Sequence, residues 1–159
     1  MSDKLLNSLQ LKGFLSFAPE SDPVELTSLN VLIGPNGVGK SNFIEAVELL
    51  RATPSDLSGA IRAGGTPADW IWRGDGVKAG RIEARLAPVG EVPELRYAIE
   101  FADSLGRLQI VDELLDEPAR ADTQTRAARA YYRIQRGRPV INVCDHGSGR
   151  GARRTYKPR

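Results

Sequence analysis

The sequence has little of what secreted and membrane-spanning proteins depend on. It contains one cysteine, Cys144, which cannot form an internal disulfide. No run of apolar residues approaches the roughly 20 needed to span a bilayer. Asp3, Lys4 and Asn7 come too early for the apolar core of a signal peptide. These absences argue against export and membrane insertion, and they fit a reducing cytoplasm.

Histidine and net charge are also scarce. His146, the single histidine, lies in the turn-like run Asp-His-Gly-Ser-Gly, where a histidine is more often an ordinary surface side chain than a catalytic one. The formal net charge is only +2, and as a total it says little about partners.

Glycine, in contrast, is plentiful, and three glycines fall within one motif. Residues 34–41 read Gly-Pro-Asn-Gly-Val-Gly-Lys-Ser, which matches the G-x-x-x-x-G-K-[ST] pattern of a phosphate-binding P-loop. Residues 30–33 before it form a short apolar run that predicts a buried strand, and residues 40–51 after it have helical periodicity. Strand, glycine loop and helix follow one another in the order that phosphate binding requires.

The motif has a chemical rationale. Glycines at these positions let successive N–H groups converge on phosphate oxygens, and the following helix begins beneath the anion. Lys40 is expected to reach the β- and γ-phosphates, and Ser41 to offer its hydroxyl to Mg²⁺. The alternative is a glycine-rich turn without a ligand. The residues predicted to hold the nucleotide are Gly34, Asn36, Gly37, Val38, Gly39, Lys40, Ser41 and Asn42.

The length predicts one domain with a single core. We expect a P-loop NTPase lobe over residues 1–143, with a β/α core (1–62) and an antiparallel β-layer (80–143). Before the P-loop we predict a strand within residues 5–17, kinked at Gly13, that pairs with residues 24–29. A short helical segment is predicted over residues 56–62. The strands predicted for the layer are 81–87, 95–102, 107–114, 130–136 and 140–143, with hairpin turns at 103–106 and 137–139. Residues 118–129 are either a short helix or an exposed loop.

The last residues, 144–159, form a basic, glycine- and arginine-rich segment. No acid follows Asp145, whereas the bases are Arg150, Arg153, Arg154, Lys157 and Arg159. Such a tail could contact nucleic-acid phosphates. A solvated, disordered terminus is the favoured interpretation, because termini are often disordered and five charges alone are weak evidence.

The P-loop, the run Leu-Lys-Gly-Phe-Leu-Ser-Phe at 11–17 and Ile-Glu-Ala at 44–46 together resemble a known family. They are similar to the N-terminal lobe of RecF/SMC-like and OLD-like ABC-type ATPases, often described as AAA-family ATPases. Gly64-Gly65 and the Trp-Ile-Trp run at 70–72 are similar to one bacterial group of them. The resemblance implies an α/β fold with an antiparallel β-subdomain, ATP and Mg²⁺ as cofactors, and ATP hydrolysis in the full-length family. It also implies that the turn at Lys12 and Gly13 borders the adenine.

The resemblance also shows which family motifs are missing. An ABC-type head needs a Leu-Ser-Gly-Gly-type signature loop, a Walker B strand ending in Asp-Glu and a switch histidine, all in its C-terminal lobe. Residues 57–59 (Leu-Ser-Gly) mimic the signature but lie only sixteen residues after Ser41. Residues 108–113 (Leu-Gln-Ile-Val-Asp-Glu) mimic Walker B, but Gln109 interrupts the apolar run. We interpret both as coincidental, and a switch role for His146 as improbable.

The sequence therefore predicts the ATP-binding lobe of an ABC-type head, without its catalytic C-terminal lobe. Its expected partners are that missing lobe or a second ATPase head. One alternative is a complete small NTPase in which Asp112 and Glu113 are the Walker B acids. Another is a non-enzymatic nucleotide-binding regulatory module. Trp70 and Trp72 would either stack on a base or partner or, as we favour, pack in the core.

Overall fold

The computed structural model describes residues 4–118, 130–135, 138–143 and 152–155. Within these ranges the strands form one sheet in the order β2-β1-β3-β4-β5-β6-β7-β8, and every neighbouring pair is antiparallel. The strands are β1 (Leu6–Lys12), β2 (Val24–Glu25), β3 (Ala79–Leu86), β4 (Leu95–Ser104), β5 (Arg107–Asp116), β6 (Ala130–Gln135), β7 (Arg138–Val143) and β8 (Ala152–Thr155). The predicted pairing of the first two strands is confirmed, although only Val24 and Glu25 of the predicted residues 24–29 form a strand. The predicted antiparallel layer is also confirmed, but Arg138 and Pro139, predicted as part of a turn, pair with β6.

Two helices and a 3-10 turn pack on one face of the sheet. Helix α1 (Lys40–Ala52) follows the P-loop, and α2 (Leu57–Ala63) follows it after a short connection. Asp56 caps α2, because its carboxylate accepts a hydrogen bond from the N–H of Gly59 at 2.8 Å. The 3-10 turn (Pro67–Trp70) then leads back to the sheet. Both helices occupy the positions that the sequence pattern predicts.

The core lies between this helical layer and the inward face of β1, β3 and β4. Alternate residues of the strands point into it, as period-two patterning requires. The buried set from sheet and helices includes Leu9, Leu11, Ile82, Ala84, Ile99, Phe101, Phe43, Ala46, Leu49 and Ile61. Trp70 completes the core, since its ring lies 5.9 Å from that of Phe14 and its indole N–H donates to the carbonyl of Ile61 at 3.0 Å. Trp70 is therefore a packing residue, as favoured from the sequence.

The opposite face of the sheet carries a network of ion pairs. Arg96 makes a two-pronged contact with Asp116 at 2.9 and 2.6 Å. Arg81 contacts Glu83 at 3.2 Å and Glu100 at 3.4 Å. Because acids and bases alternate across neighbouring strands, this face balances its own charge and can remain in contact with water.

Residues 29–33, here called the apolar segment, contradict the prediction of a buried strand. They form no strand, and the side chains of Leu29, Val31 and Ile33 are 81%, 73% and 89% exposed. A strand becomes buried only when neighbouring strands pair with it, and no strand lies beside this segment in the described part of the chain. The apolar pattern of this segment favours a strand, but no neighbouring strand pairs with it in the described part of the chain.

Part of the basic segment also differs from expectation. Residues 152–155, which we expected to belong to a disordered tail, form β8 and pair with β7, with Ala152 opposite Val143 and Thr155 opposite Val140. The open edge of β7 offers unpaired backbone groups, which a following strand can satisfy whatever its charge. Residues 144–151 and 156–159, which include Cys144, His146 and Arg150, lie outside the described residues, as do residues 119–129.

No helix among the described residues has the length and apolar content that crossing a membrane requires.

Paired substitutions of isoleucine by alanine test this arrangement. Ile82 is 0% exposed and Ile33 is 89% exposed. Ile82→Ala is expected to lower the free energy of unfolding by about 2–5 kcal/mol, because it leaves a cavity in the core. Ile33→Ala is expected to change it by less than about 0.5 kcal/mol. Urea titration of both variants measures the difference, and similar losses would show that the apolar segment is buried.

Candidate functional site

The glycine loop joins the apolar segment to helix α1 and has the backbone conformation that its sequence predicts. Gly37 and Gly39 have φ angles of 84° and 96°, which residues with a β-carbon rarely adopt. A β-carbon built on Gly37 would meet nothing within 4 Å, so this side of the loop is open. Gly39 is the residue before α1, and its carbonyl accepts the first helical hydrogen bond from the N–H of Phe43 at 2.9 Å.

The first turn of α1 is suited to an anion. No side chain caps it, and it contains no acidic residue. The first N–H groups of a helix have no partner within the helix, and the helix dipole is positive at this end. Lys40, Ser41 and Asn42 contribute these N–H groups, and the side chain of Ser41 is exposed. A phosphate placed here would complete the hydrogen bonding of the turn.

The ammonium group of Lys40 lies inside the loop. Its Nζ donates to the carbonyl oxygens of Gly34 at 2.8 Å and Pro35 at 2.6 Å. The lysine therefore folds back over the loop rather than extending into solvent. Of the predicted site residues, Gly34 thus contacts the Lys40 ammonium, whereas Ser41 and Asn42 lie in the first turn of α1.

A contact that sequence reasoning missed comes from the turn after β1. Ser16 accepts a hydrogen bond at its Oγ from Nδ2 of Asn42, at 2.9 Å. The two residues are 26 positions apart, so no local pattern indicates that they meet. Gly13, expected to border the adenine, has its carbonyl bonded to the N–H of Trp72 at 2.9 Å, and its role towards a base stays a prediction.

The two acids of the Walker B-like run point in different directions. Asp112 pairs with Arg81 at 3.7 Å and Arg133 at 3.4 Å, on the charged face of the sheet. Glu113 instead accepts hydrogen bonds from the hydroxyls of Tyr97 at 2.7 Å and Tyr132 at 3.1 Å. Consecutive residues of a strand project to opposite faces of a sheet, so the two carboxylates lie in different surroundings.

Glu113 lies beside the end of α1 that is remote from the P-loop. The hydroxyl of Tyr97 lies near the side chain of Thr53, the cap residue that follows α1. The helix has 13 residues, which corresponds to a length of about 20 Å. The arrangement of strand β5 is thus that of an antiparallel layer and not of a strand that ends at the phosphates.

The tyrosines around Glu113 are held in their neutral form. Burial, reinforced by the negative charge of Glu113 and by the hydrogen bond to it, raises the pKa of Tyr132 to about 12. Burial is also the main cause that raises the pKa of Tyr97 above its usual value. Both hydroxyls therefore act as hydrogen-bond donors to the carboxylate throughout the neutral range.

The signature-like run at 57–59 is helical, and the described residues contain no cluster of metal-ligating side chains. Leu57, Ser58 and Gly59 form the first turn of α2, capped by Asp56, and not a free loop. No group of three or more His, Cys, Asp or Glu side chains is placed to hold a metal within the described ranges.

The family model described as "AAA domain, putative AbiEii toxin, Type IV TA system" matches residues 29–129, which is more than half of the chain. The chain belongs to this family. The matched region begins in the apolar segment and contains the P-loop, both helices and strands β3 to β5.

Curated relatives of this AAA-domain chain are chromosome partition proteins named Smc. That of Xanthomonas oryzae pv. oryzae is 31% identical over 100 residues, which cover 61% of this chain and 8% of the relative. That of Rhodopirellula baltica is 34% identical over 84 residues, covering 52% of this chain and 7% of the relative. The Smc of Clostridium kluyveri is 35% identical over 69 residues, covering 43% and 6%. The chain thus spans less than a tenth of the length of these relatives.

A solved structure of an SMC ATPase, from work on ATP-driven dimerization and DNA-stimulated activation of these enzymes, has the same fold. It superimposes with a TM-score of 0.54 at 23% sequence identity, over 70% of this chain and 69% of the other. Together with the family match, this confirms the resemblance drawn from the P-loop: the chain is similar to SMC/RecF-like ATPases of the ABC type. The predicted fold class, a P-loop lobe of mixed α/β type with an antiparallel sheet, is confirmed as well.

The tyrosine pair predicts an alkaline dependence of stability. A tyrosine whose pKa is raised on folding stabilises the protein fully below its unfolded pKa of about 10, and this contribution is lost as the pH rises through the folded pKa. For Tyr132 the window therefore runs from pH 10 to about 12. Tyr132→Phe cannot ionise, so its free energy of unfolding should fall less than that of the wild type between pH 9 and pH 11. Urea titrations at both values measure this, and equal losses would contradict the assignment.

Proposed function

We propose that this chain is the ATP-binding lobe of an ABC-type head and that it binds Mg²⁺·ATP through residues 34–42. The observation that carries the proposal is the position of Lys40, whose ammonium lies within a glycine loop that leads into an uncapped helix start. This places a positive charge beside the N–H groups that an anion would contact. The proposal includes a cytoplasmic location, in keeping with the single cysteine.

Each residue of the loop has a role in this proposal. The N–H groups that follow Gly37 and Gly39 would surround the β-phosphate, and Lys40 would contact the β- and γ-phosphates. Ser41 would bind Mg²⁺, which neutralises the charge of the phosphates when it is bound. In the fold described above, Lys40 donates to the carbonyls of Gly34 and Pro35. Binding therefore exchanges two carbonyl contacts of the ammonium for stronger ones to phosphate oxygens.

The apolar segment supports a proposal about partners. Leu29, Val31 and Ile33 are exposed directly before the P-loop, and such an extended apolar run is suited to pair with a further strand. We propose that the C-terminal lobe of the same head covers it and supplies the signature loop, the Walker B acid and the switch histidine. A second head would then face the bound nucleotide, since the solved SMC ATPase belongs to a study of ATP-driven dimerization.

The position of Glu113 disfavours the alternative of a self-sufficient NTPase. Its carboxylate accepts hydrogen bonds from Tyr97 and Tyr132, whereas a catalytic carboxylate must be within reach of the water that attacks the γ-phosphate. We therefore assign Glu113 a structural role. The remaining alternative, a regulatory nucleotide-binding module, differs from the proposed one in having no hydrolysis even in the assembled state.

Removal of the Lys40 ammonium tests nucleotide binding. Mg²⁺·ATP at about 100 times its Kd is expected to raise the melting temperature of the wild type by roughly 5–10 °C. Lys40→Ala should weaken ATP binding by about tenfold or more, because it removes a charge-assisted contact, while the melting temperature without ligand hardly changes. Arg51→Ala is a matched control, because it removes a positive charge from the opposite end of the same helix. Equal shifts in Lys40→Ala and the wild type would show that ATP binds elsewhere.

The assembled head tests the roles of Glu113 and the apolar segment. The chain alone should hydrolyse ATP negligibly, and the assembly with the C-terminal lobe should hydrolyse it at roughly 1 s⁻¹ or faster. Glu113→Gln should leave the rate of the assembly unchanged. Ile33→Asp should abolish the stimulation without lowering the stability of the chain alone, because Ile33 is exposed there. A rate for the chain alone that collapses in Glu113→Gln would instead support a genuine Walker B acid.

A further inference from the structure

The turn that follows β1 has an unusual backbone. Phe14 and Phe17 exchange two hydrogen bonds between their backbone groups, at 3.0 and 2.8 Å, and so close a two-residue turn at Leu15 and Ser16. Leu15 has a φ of 48°, a left-handed conformation that is uncommon for residues other than glycine. A glycine would adopt this conformation without strain. A leucine must be held in it by surrounding contacts.

The core holds the turn in this conformation from one side. The N–H of Leu15 donates to the carbonyl of Trp70 at 2.9 Å, and the Leu15 side chain packs against the hydrophobic core. Trp70, which accepts this hydrogen bond, and Phe14, which precedes Leu15, are both buried. Strained residues persist where surrounding contacts determine their conformation, and they are frequent at functional sites.

The other side of the turn faces the P-loop. Ser16 Oγ accepts from Asn42 Nδ2 at 2.9 Å, and a β-carbon built on Gly39 would lie 2.6 Å from the same oxygen. The ring of Phe17 lies 3.6 Å from that position. The turn thus approaches the glycine loop closely at Gly39. Ser16 is exposed, so this hydrogen bond adds little to the packing of the core.

We propose that Ser16 is a positioning residue of the nucleotide site. By holding the amide of Asn42, its hydroxyl fixes the first turn of α1 against the rigid turn and keeps Gly39 in its left-handed conformation. The N–H groups of Lys40 and Ser41 then point towards the phosphates before the ligand arrives. Ser16 contributes through this preorganisation, which reduces the ordering that binding must otherwise impose. The inference depends on the proposed binding of ATP at the P-loop.

The first test measures Kd for Mg²⁺·ATP in a set of matched variants. Ser16→Ala should weaken binding by about three- to tenfold, the range expected for one hydrogen bond, without changing the melting temperature of the free protein. Ser16→Thr keeps the hydroxyl and should restore the affinity to within about twofold of wild type. Ser16→Ala combined with Asn42→Ala should bind no more weakly than Asn42→Ala alone, because the two residues act as a unit. Unchanged affinity in Ser16→Ala, no rescue by threonine, or additive losses would each overturn the proposal.

A second measurement separates this inference from the proposed function. In the nucleotide-free protein, the N–H of Phe43 makes the first helical hydrogen bond to Gly39. If Ser16 holds this turn, the Phe43 amide should exchange with solvent several-fold faster in Ser16→Ala than in wild type or Ser16→Thr. Equal exchange in the three proteins would overturn the positioning role. A wild type that fails to bind ATP, with the difference in exchange still present, would overturn the proposed function alone.

Discussion

The close approach at Gly39 is the constraint on which the rest of the site depends. The residue must take a left-handed conformation to turn the chain from the loop into α1, and it must also leave room for Ser16 and Phe17. A left-handed φ strains a residue with a β-carbon, and a β-carbon here would also force the Ser16 hydroxyl to move. The left-handed conformation directs the N–H groups of the helix start into the open side of the loop. The contact with Ser16 joins that start to a turn anchored in the core through Trp70.

Helix α1 connects two regions of different chemistry. Its first turn lies in the glycine loop with Lys40 and Ser41, whereas its last residues reach the cluster in which Tyr97 links Thr53 to Glu113. The antiparallel layer thus supports the helix at the end away from the phosphates. Its charged face is balanced internally by pairs such as Arg96 with Asp116, so the layer serves as a scaffold. The features suited to ligands and partners, the glycine loop and the apolar segment, are adjacent in the chain.

Local sequence patterns predicted much of this fold, because helices, turns and alternating strands depend mainly on residues close in sequence. The glycine motif with its helix, the short helical segment after it and the alternating strands of the layer each follow from residues close in sequence. What could not be predicted depends on distant groups. The contact of Ser16 with Asn42 needs the fold, since the two are 26 residues apart. The exposure of residues 29–33 depends on which strands are present to pair with them, and the pairing of β8 depends on the free edge of β7.

The central claim, that ATP binds with its phosphates at the glycine loop, is tested most directly by backbone amide NMR of the ¹⁵N-labelled chain titrated with Mg²⁺·ATP. Amides that donate to phosphate oxygens undergo large changes in chemical shift, and those of a loop that becomes ordered also gain protection from exchange. The account predicts that the largest changes fall on residues 37–42, with smaller ones at Ser16 and none at Glu113. Saturable changes centred on another part of the chain, or no changes at millimolar ATP, would contradict it.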